Sequence, residues 1–118
     1  MKKCLSTLLK LFKPEITPIT MLVKIHKSYR NTITICDPEL IGKNFEEGDR
    51  QLKVLENFYR GEEKEEKEIL EIIEMGAAED YTFNIVGEKS IALALKAEII
   101  TEEGVVRIQG VPIALVLL

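Results

Sequence analysis

The order of hydrophobic and polar residues predicts a β-hairpin soon after Met21. Two runs rich in β-branched residues, residues 22–25 and 32–35, are separated by the polar segment 27–31. β-branched side chains favour extended backbone, and a short polar segment between two such runs is typical of a hairpin turn. We therefore expect two antiparallel strands with their turn near residues 28–31.

A short helix is expected directly after this hairpin. Asp37, Pro38 and Glu39 are the residue types typical of an N-cap, a first helical position and an acidic first turn. Gly42 favours an end to this helix within one or two turns. Residues 51–55 then alternate between polar and apolar side chains, which predicts a further strand.

The strongest helix signal lies in residues 62–74, where Ile69, Leu70, Ile72 and Ile73 form an apolar stripe. Charge pairs four residues apart, Glu63 with Lys67 and Lys64 with Glu68, support a helix that already includes residues 62–65. Gly76 is expected to end this helix.

The second half of the chain predicts a strand, a helix and two closing strands. Residues 81–86 have strand composition, and residues 87–98 place Ile91, Leu93, Ala94 and Leu95 on one helical face. Residues 105–108 and 113–118 are the closing strands, with 109–112 as a turn or a bulge in one bent strand. This mixed order indicates an α+β two-layer sandwich with both main helices on one face of a mostly antiparallel sheet.

Composition and charge narrow the class of protein. The chain has 118 residues, of which 46% are hydrophobic, so we expect one globular domain over residues 21–118. Four Lys and one Glu lie in residues 1–20, which leaves 12 basic and 19 acidic residues, a net charge of −7, for residues 21–118. An acidic body is not expected to bind nucleic acids in general, because such binding depends on Lys and Arg at the phosphates.

The first 20 residues are either an N-terminal extension or an upstream segment before a true start at Met21. Lys10 and Lys13 interrupt the apolar residues, so a secretory signal is not expected. No run approaches the length of a membrane-spanning helix. If translated, this segment is suited to a short basic amphipathic helix on a membrane surface or a partner. Two cysteines and no signal indicate a reducing, cytoplasmic setting.

Residues 86–90 lie between a predicted strand and a predicted helix, where phosphate-binding loops occur. The two glycine positions of such a loop, counted back from Lys89, hold Glu88 and Phe83, so a nucleotide loop is excluded. A weaker interpretation is an anion site at the helix start, formed by Gly87, Glu88, Lys89 and Ser90, and the simpler one is an ordinary capped helix.

The residue types of catalysis are sparse. His26 and Cys36 form a two-member cluster only if the hairpin register brings them together, and no third partner is evident. Acidic residues 37, 46, 47 and 49 suit a divalent cation but lack the spacing of a calcium-binding loop. We therefore assign no catalytic, cofactor-binding or metal-ligating residues.

Two features favour contact with other proteins. Phe58, Tyr59 and Arg60 combine aromatic area with a guanidinium, and together with Arg107 they form the candidate interaction surface. The aromatic pair also suits a plug at the edge of the sheet. Seven of the eight residues 111–118 are hydrophobic, and such a strand at a sheet edge invites pairing, so a homodimer is an alternative.

Five motifs occur in the order of one known family: residues 36–43 (CDPELIGK), 45–48 (FEEG), 58–62 (FYRGE), 84–88 (NIVGE) and 108–112 (IQGVP). Over residues 21–118 the chain resembles a family of archaeal proteins of roughly 100 residues classed as a domain of unknown function. The resemblance implies an archaeal cytoplasmic source and an α+β fold, and it supplies no activity or catalytic residue. The family pattern has a His and a polar residue after Gly-Val-Pro, where this chain has Ile113 and Leu115.

These observations favour a non-enzymatic interaction module that docks on a larger assembly. The breadth of the family that the chain resembles implies translation or RNA processing as the setting. The alternative is a small-molecule or metal-dependent enzyme that uses acidic residues 37, 46, 47 and 49 together with the helix start at Gly87.

Overall fold

The computed structural model of the chain describes residues 20–117, which form two β-sheets and three α-helices. The eight strands are β1 (Thr20–His26), β2 (Thr32–Cys36), β3 (Asn44–Glu47), β4 (Arg50–Lys53), β5 (Glu62–Glu65), β6 (Thr82–Val86), β7 (Val106–Ile108) and β8 (Val111–Val116). The helices are α1 (Glu56–Tyr59), α2 (Glu66–Ala78) and α3 (Glu88–Lys96), with single 3-10 turns at Pro38–Leu40 and Glu102–Gly104.

The large sheet has the strand order β5-β1-β2-β6-β8-β7, and β3 pairs with β4 in a separate small sheet. Only the central pair, β2 with β6, is parallel, and the other neighbours in the described sheet are antiparallel. The predicted α+β class with a mostly antiparallel sheet is therefore confirmed. None of the helices within residues 20–117 is long and apolar enough to cross a membrane.

Both longer helices pack on the same face of the large sheet. Alternate strand residues such as Ile33, Ile35, Phe83 and Ile85 point to that face, where side chains of both helices join them in one buried core. The core residues from α2 are Ile69 and Ile73, and those from α3 are Ile91, Leu93 and Ala94. The predicted placement of the two main helices on one face is confirmed.

The opposite face of the sheet has its own, smaller core, which the sequence pattern did not indicate. The small β3–β4 sheet and the single turn of α1 cover part of this face. The buried residues of this cluster are Cys36, Leu52, Val54, Tyr59, Val86 and Ile108. As a result, the carboxyl ends of the central strands β2 and β6 are enclosed from both sides.

The prediction of a helix from residue 62 is wrong for its first turn. Residues Glu62–Glu65 form β5, which pairs antiparallel with β1 from Thr20 opposite Glu65 to Val23 opposite Glu62. Helix α2 begins only at Glu66. The predicted ion pair of Lys64 with Glu68 nevertheless forms, at 3.6 Å, across the junction of strand and helix.

The prediction that Gly76 ends the helix is also wrong, because Gly76 lies inside α2 and is buried. A Cβ atom at this position would come within 2.6 Å of Ile33 Cδ1 and 2.9 Å of Phe83 Cζ. Gly76 therefore allows α2 to approach the sheet closely, and the helix continues to Ala78.

The remaining predicted elements are confirmed, with small shifts at their ends. The β1–β2 hairpin, strand β6, helix α3 and the β7–β8 hairpin all lie where the pattern places them. Gln109 and Gly110 form the turn of the last hairpin with φ values of 51° and 81°, the left-handed pair that suits a two-residue hairpin. The interpretation of residues 1–20 as an extension concerns residues outside the described range, except for Thr20, which begins β1.

Candidate functional site

The carboxyl ends of the parallel strands β2 and β6 meet at the start of α3, which includes all four residues of the candidate anion site. Gly87 follows β6 and precedes α3 with φ 109° and ψ 155°, a conformation that non-glycine residues rarely adopt. A Cβ atom on Gly87 would overlap the side chain of Asp37. The glycine therefore lets the end of β6 pass directly beside the end of β2.

The carboxylate of Asp37 caps α3 and not the short helix that follows it in the sequence. The backbone N–H of Lys89 donates to Oδ2 at 3.0 Å, and the N–H of Ser90 donates to Oδ1 at 2.9 Å. The hydroxyl of Ser90 donates to the same Oδ1 at 2.7 Å. The predicted side-chain cap on the Pro38–Leu40 turn does not form. Asp37 is only 2% exposed, and these three hydrogen bonds take the place of water at its carboxylate.

This arrangement bears directly on the predicted anion site. Two N–H groups at the start of α3, those of Lys89 and Ser90, are already bound to Asp37. A second anion at this position would meet the carboxylates of Asp37 and Glu88, and Lys89 is directed toward Glu39, with Nζ 3.9 Å from Oε1. The geometry is that of the ordinary capped helix start.

A cavity of about 150 Å³ lies beside this helix start. Its lining combines the ends of β2 and β6 with the turn between β7 and β8: Asp37, Glu39, Leu40, Gly87, Glu88, Lys89, Gly110, Val111 and Pro112. Sites at the carboxyl ends of adjacent parallel strands are common positions for ligands in α/β proteins. This cavity is therefore the one that the alternative, enzymatic hypothesis would use.

The four residues of the candidate interaction surface do not form one patch. Arg107 donates to Glu88 of α3 at 2.7 Å, on the face of the sheet that the two longer helices cover. Its neighbour Ile108 points the other way and packs in the same cluster as Tyr59. Arg107 and residues 58–60 thus lie on opposite faces of the large sheet.

Within residues 58–60, only Arg60 is an exposed side chain. Tyr59 is 7% exposed, and burial raises the pKa of its phenol to about 12. Phe58 stacks on His26 with ring centroids 4.6 Å apart and meets Tyr59 edge to face at 5.0 Å. The aromatic pair therefore packs against the face of the sheet, with Phe58 on His26 of β1 and Tyr59 in the smaller core. Arg60 pairs with Glu56 at 2.8 Å.

The hairpin register separates His26 from Cys36. His26 lies opposite Thr32, whereas Cys36 lies opposite Leu22, so the two residues are at opposite ends of the hairpin. The Nε2 atom of His26 is 2.9 Å from the carbonyl oxygen of Phe58. Cys36 is buried, and desolvation together with the nearby charges of Asp37 and Glu39 raises the pKa of its thiol to about 12. A thiol in this state is a poor nucleophile.

The acidic residues are used in two separate places. Asp37 caps α3, whereas Glu46 and Glu47 lie in β3 and contact Gln109 in the β7–β8 turn. The N–H of Glu46 donates to Gln109 Oε1 at 3.1 Å, and the N–H of Gln109 donates to Glu47 Oε1 at 2.8 Å. Residues 20–117 contain no group of three His, Cys, Asp or Glu side chains able to hold a metal ion. The sequence did not single out Gln109, whose two hydrogen bonds to β3 connect the small sheet to the large sheet.

A groove larger than the cavity beside Gly87 lies at the carboxyl end of β8, and we name it the β8 groove. It has a volume of about 320 Å³ between the loop that follows α3 and the last strand, and its lining residues are Glu98, Ile99, Ile100, Thr101, Gly104, Ala114, Leu115, Val116 and Leu117. Leu115 and Leu117 are 58% and 65% exposed. Residues 114–117 of the apolar run 111–118 form one wall of this groove.

Comparisons with known proteins give a family and a fold. The sequence model of the family described as "Protein of unknown function (DUF424)" matches residues 26–118. The chain is similar to a solved structure described as an uncharacterized conserved protein from Methanopyrus kandleri, with a TM-score of 0.72 and 24% sequence identity. That similarity covers 83% of this chain and 92% of the other. No curated protein matches the chain.

Proposed function

The chain belongs to the DUF424 family, whose description names no activity, and from its structure we propose that it is a non-enzymatic interaction module that docks on a larger assembly. The observation that carries this proposal is the β8 groove, where Leu115 and Leu117 expose apolar surface beside a strand edge. Exposed apolar residues grouped at a groove are typical of sites that bind a partner.

The state of the chemical groups supports a binding role over a catalytic one. The thiol of Cys36 is buried with a raised pKa, His26 contacts a backbone carbonyl, and Asp37 is bound to the start of α3. Each of these groups has a contact or a protonation state that contributes to the fold. The free thiol of Cys36 also agrees with a reducing compartment, and we propose the cytoplasm.

The test compares two exposed leucines in tagged full-length protein. Leu115→Lys places a charge in the β8 groove, and Leu55→Lys places the same charge at a residue of equal exposure, 57%, next to α1. We expect source-cell proteins captured by the wild type and by Leu55→Lys to be lost with Leu115→Lys. Equal capture by all three proteins, or no specific capture by any of them, would contradict the proposal.

An RNase-treated half of each capture tests the proposed setting in translation or RNA processing. Retention of specific proteins after RNase indicates direct protein contacts. Loss of the captured material indicates contact through a ribonucleoprotein, because the acidic body favours no direct binding to phosphates.

We also propose the exposed arginines of the predicted surface as a second, independent contact, which the same assay tests. Arg60 and Arg107 lie in surface ion pairs on opposite faces of the sheet. If one face contacts the assembly, only the variant on that face, Arg60→Ala or Arg107→Ala, reduces capture. A reduction with each of the two variants would require two contact faces.

The alternative function is a small-molecule or metal-dependent enzyme, and the observation that favours it is the cavity of about 150 Å³ beside Gly87 and Asp37. A ligand bound there raises the melting temperature as its concentration exceeds its dissociation constant. Thermal denaturation with nucleotides, divalent ions and common metabolites tests this alternative. An unchanged melting temperature with all of them would count against it.

A further inference from the structure

The backbone of β8 shows which of its groups face the open side of the sheet. The N–H of Gly87, at the end of β6, donates to the carbonyl oxygen of Pro112 at 2.9 Å, so Pro112 directs its polar backbone toward β6. Because successive strand residues alternate in direction, Ala114 and Val116 also face β6, and Leu115 faces away from it. Leu117 directly follows the end of β8.

On the side of β8 away from β6, β7 does not extend as far as Leu115. Its pairing with β8 stops at Val106 opposite Ile113. The segment before Val106 leaves β8 and forms the opposite wall of the groove. Within residues 20–117, no strand therefore pairs with the N–H and C=O of Leu115. These groups point into a groove that already separates the loop from the strand.

The two edges of the large sheet differ in their chemistry. At one edge, every residue of β5 is charged: Glu62, Glu63, Lys64 and Glu65. Charged edge strands discourage pairing with another chain. The strand at the other edge is the short β7, and residues 114–117, which extend past it, carry no charge. The sheet is therefore protected at β5 and open to an added strand at β8.

The acidic residues around the β8 groove favour a basic partner segment over a second copy of the chain. Among residues 20–117, Glu98 is the one charged residue that lines the groove, and Glu102 and Glu103 lie exposed in the 3-10 turn of the same loop. A second copy of the chain at this edge would bring two such acidic loops together, which like-charge repulsion disfavours. A segment with Lys or Arg beside apolar residues complements both the acidic loop and the leucines.

We propose that a basic, extended segment of a partner protein binds the β8 groove by adding a strand to β8 at Leu115 and Leu117. This proposal rests on the proposed docking function and specifies its contact. The partner backbone pairs with Leu115, its apolar side chains contact the exposed leucines, and its Lys or Arg side chains face Glu98. This mode of recognition takes affinity from main-chain hydrogen bonds and specificity from alternate side chains.

The experiment uses the full chain and two fluorescently labelled peptides of eight residues, one alternating Lys with Val and the other Glu with Val. We expect anisotropy to show binding of the Lys-Val peptide at least about tenfold tighter than the Glu-Val peptide at low salt. Amide hydrogen exchange should slow at Leu115 and Leu117 on binding. Equal affinities, or protection elsewhere in the chain, would overturn the proposal.

Two variants test the two parts of the contact separately. Leu115→Pro removes the edge donor without removing a hydrogen bond to β6, and we expect it to abolish peptide binding, whereas Leu115→Val keeps the donor and binds. Glu98→Lys leaves the strand untouched and is expected to shift the preference toward the Glu-Val peptide. Its matched control is Glu74→Lys on the exposed surface of α2. Unchanged binding by Leu115→Pro, or an unchanged preference with Glu98→Lys, would contradict the proposed contact.

Sedimentation of the wild type and Leu115→Pro separates a second copy from a peptide partner. A dimer of the wild type that is lost with Leu115→Pro would show that the edge binds itself, and the basic-peptide proposal would be wrong. Capture from source cells distinguishes the two levels of inference. If Leu115→Pro still captures the same proteins as the wild type, the docking function stands and the added strand does not.

Discussion

Asp37 directly follows β2, and its Oδ1 accepts two hydrogen bonds from Ser90 at the start of α3. The backbone N–H of Ser90 donates at 2.9 Å and the Ser90 hydroxyl donates at 2.7 Å. The two residues are 53 positions apart in the chain. This contact joins the β1–β2 hairpin to the helix that follows β6. It also fills the helix start that the sequence offered as an anion site.

Replacement of Asp37 by Ala is expected to lower the free energy of unfolding by about 2 kcal/mol, because it leaves the part-buried N–H of Lys89 and the buried N–H of Ser90 without their acceptor. Ser90→Ala removes one of the three bonds and is expected to cost about 1 kcal/mol. Urea denaturation measures both values. Glu39→Ala, at an exposed ion pair, is the control and should stay within about 0.5 kcal/mol of the wild type.

The double variant Asp37→Ala, Ser90→Ala shows whether these effects share one contact. If they do, the double variant loses less stability than the sum of the two single losses, by about 1 kcal/mol. Strict additivity would mean that the two side chains stabilise the protein independently.

Gly76→Ala is expected to destabilise the protein, although alanine is the better helix former by about 1 kcal/mol. The added Cβ would overlap Ile33 and Phe83, so α2 would have to move away from the sheet. The expected loss is about 1–3 kcal/mol, typical of an overpacked core. Gly104→Ala is the control, because a Cβ there has no neighbour within 4 Å, and its melting temperature should not fall.

The Tyr59 and Arg60 side chains are expected to differ in their effects on stability. Tyr59→Ala removes a buried ring and should lower the free energy of unfolding by about 3 kcal/mol or more. Arg60→Ala removes an exposed pair with Glu56 and should change it by less than about 0.5 kcal/mol. Thermal melts of both variants measure this difference. A Tyr59→Ala protein as stable as the wild type would contradict the assignment of this ring to the core and favour a role as a surface contact.

Stability is expected to decrease in alkaline solution. Burial raises the pKa values of Cys36 and Tyr59 to about 12 in the folded chain, from ordinary values of 9.0 and 10.0. The unfolded chain therefore loses these protons first, so the contribution is complete below about pH 9 and declines as the pH rises toward 12.

Urea titrations from pH 8 to pH 11 measure this decline. Tyr59→Phe removes one ionisable group and should make the loss of stability with pH shallower. Tyr29→Phe changes a fully exposed ring and should leave the slope as in the wild type. Identical slopes for wild type and Tyr59→Phe would show that Tyr59 does not contribute to the pH dependence.

The elements that the sequence predicted correctly are those whose signal is local. The β1–β2 hairpin follows from β-branched residues around a polar turn, and α3 follows from the spacing of Ile91, Leu93 and Ala94. The left-handed Gln109 and Gly110 match the short turn between β7 and β8. In each case residues close in the chain determine the conformation, so the periodicity is sufficient.

The errors arise where distant segments override the local preference. Residues Glu62–Glu65 carry helical charge spacing, yet they form β5 because β1 offers them a strand partner. Gly76 has the residue type of a helix end, but it lies inside α2, where its lack of a side chain leaves room for Ile33 and Phe83. The charge pattern and the glycine were visible in the sequence, whereas their partners were not.

The candidate sites divide in the same way. By itself, the sequence determined the residue types at the start of α3, the acidic character of the body and the apolar run that becomes β8. Only the tertiary structure decided that Asp37 occupies that helix start, that Arg107 and Tyr59 lie on opposite faces, and that β7 ends before Leu115. Propensity and charge are properties of neighbouring residues, but the pairing of strands and the occupation of a helix end depend on which distant segments meet in the folded chain.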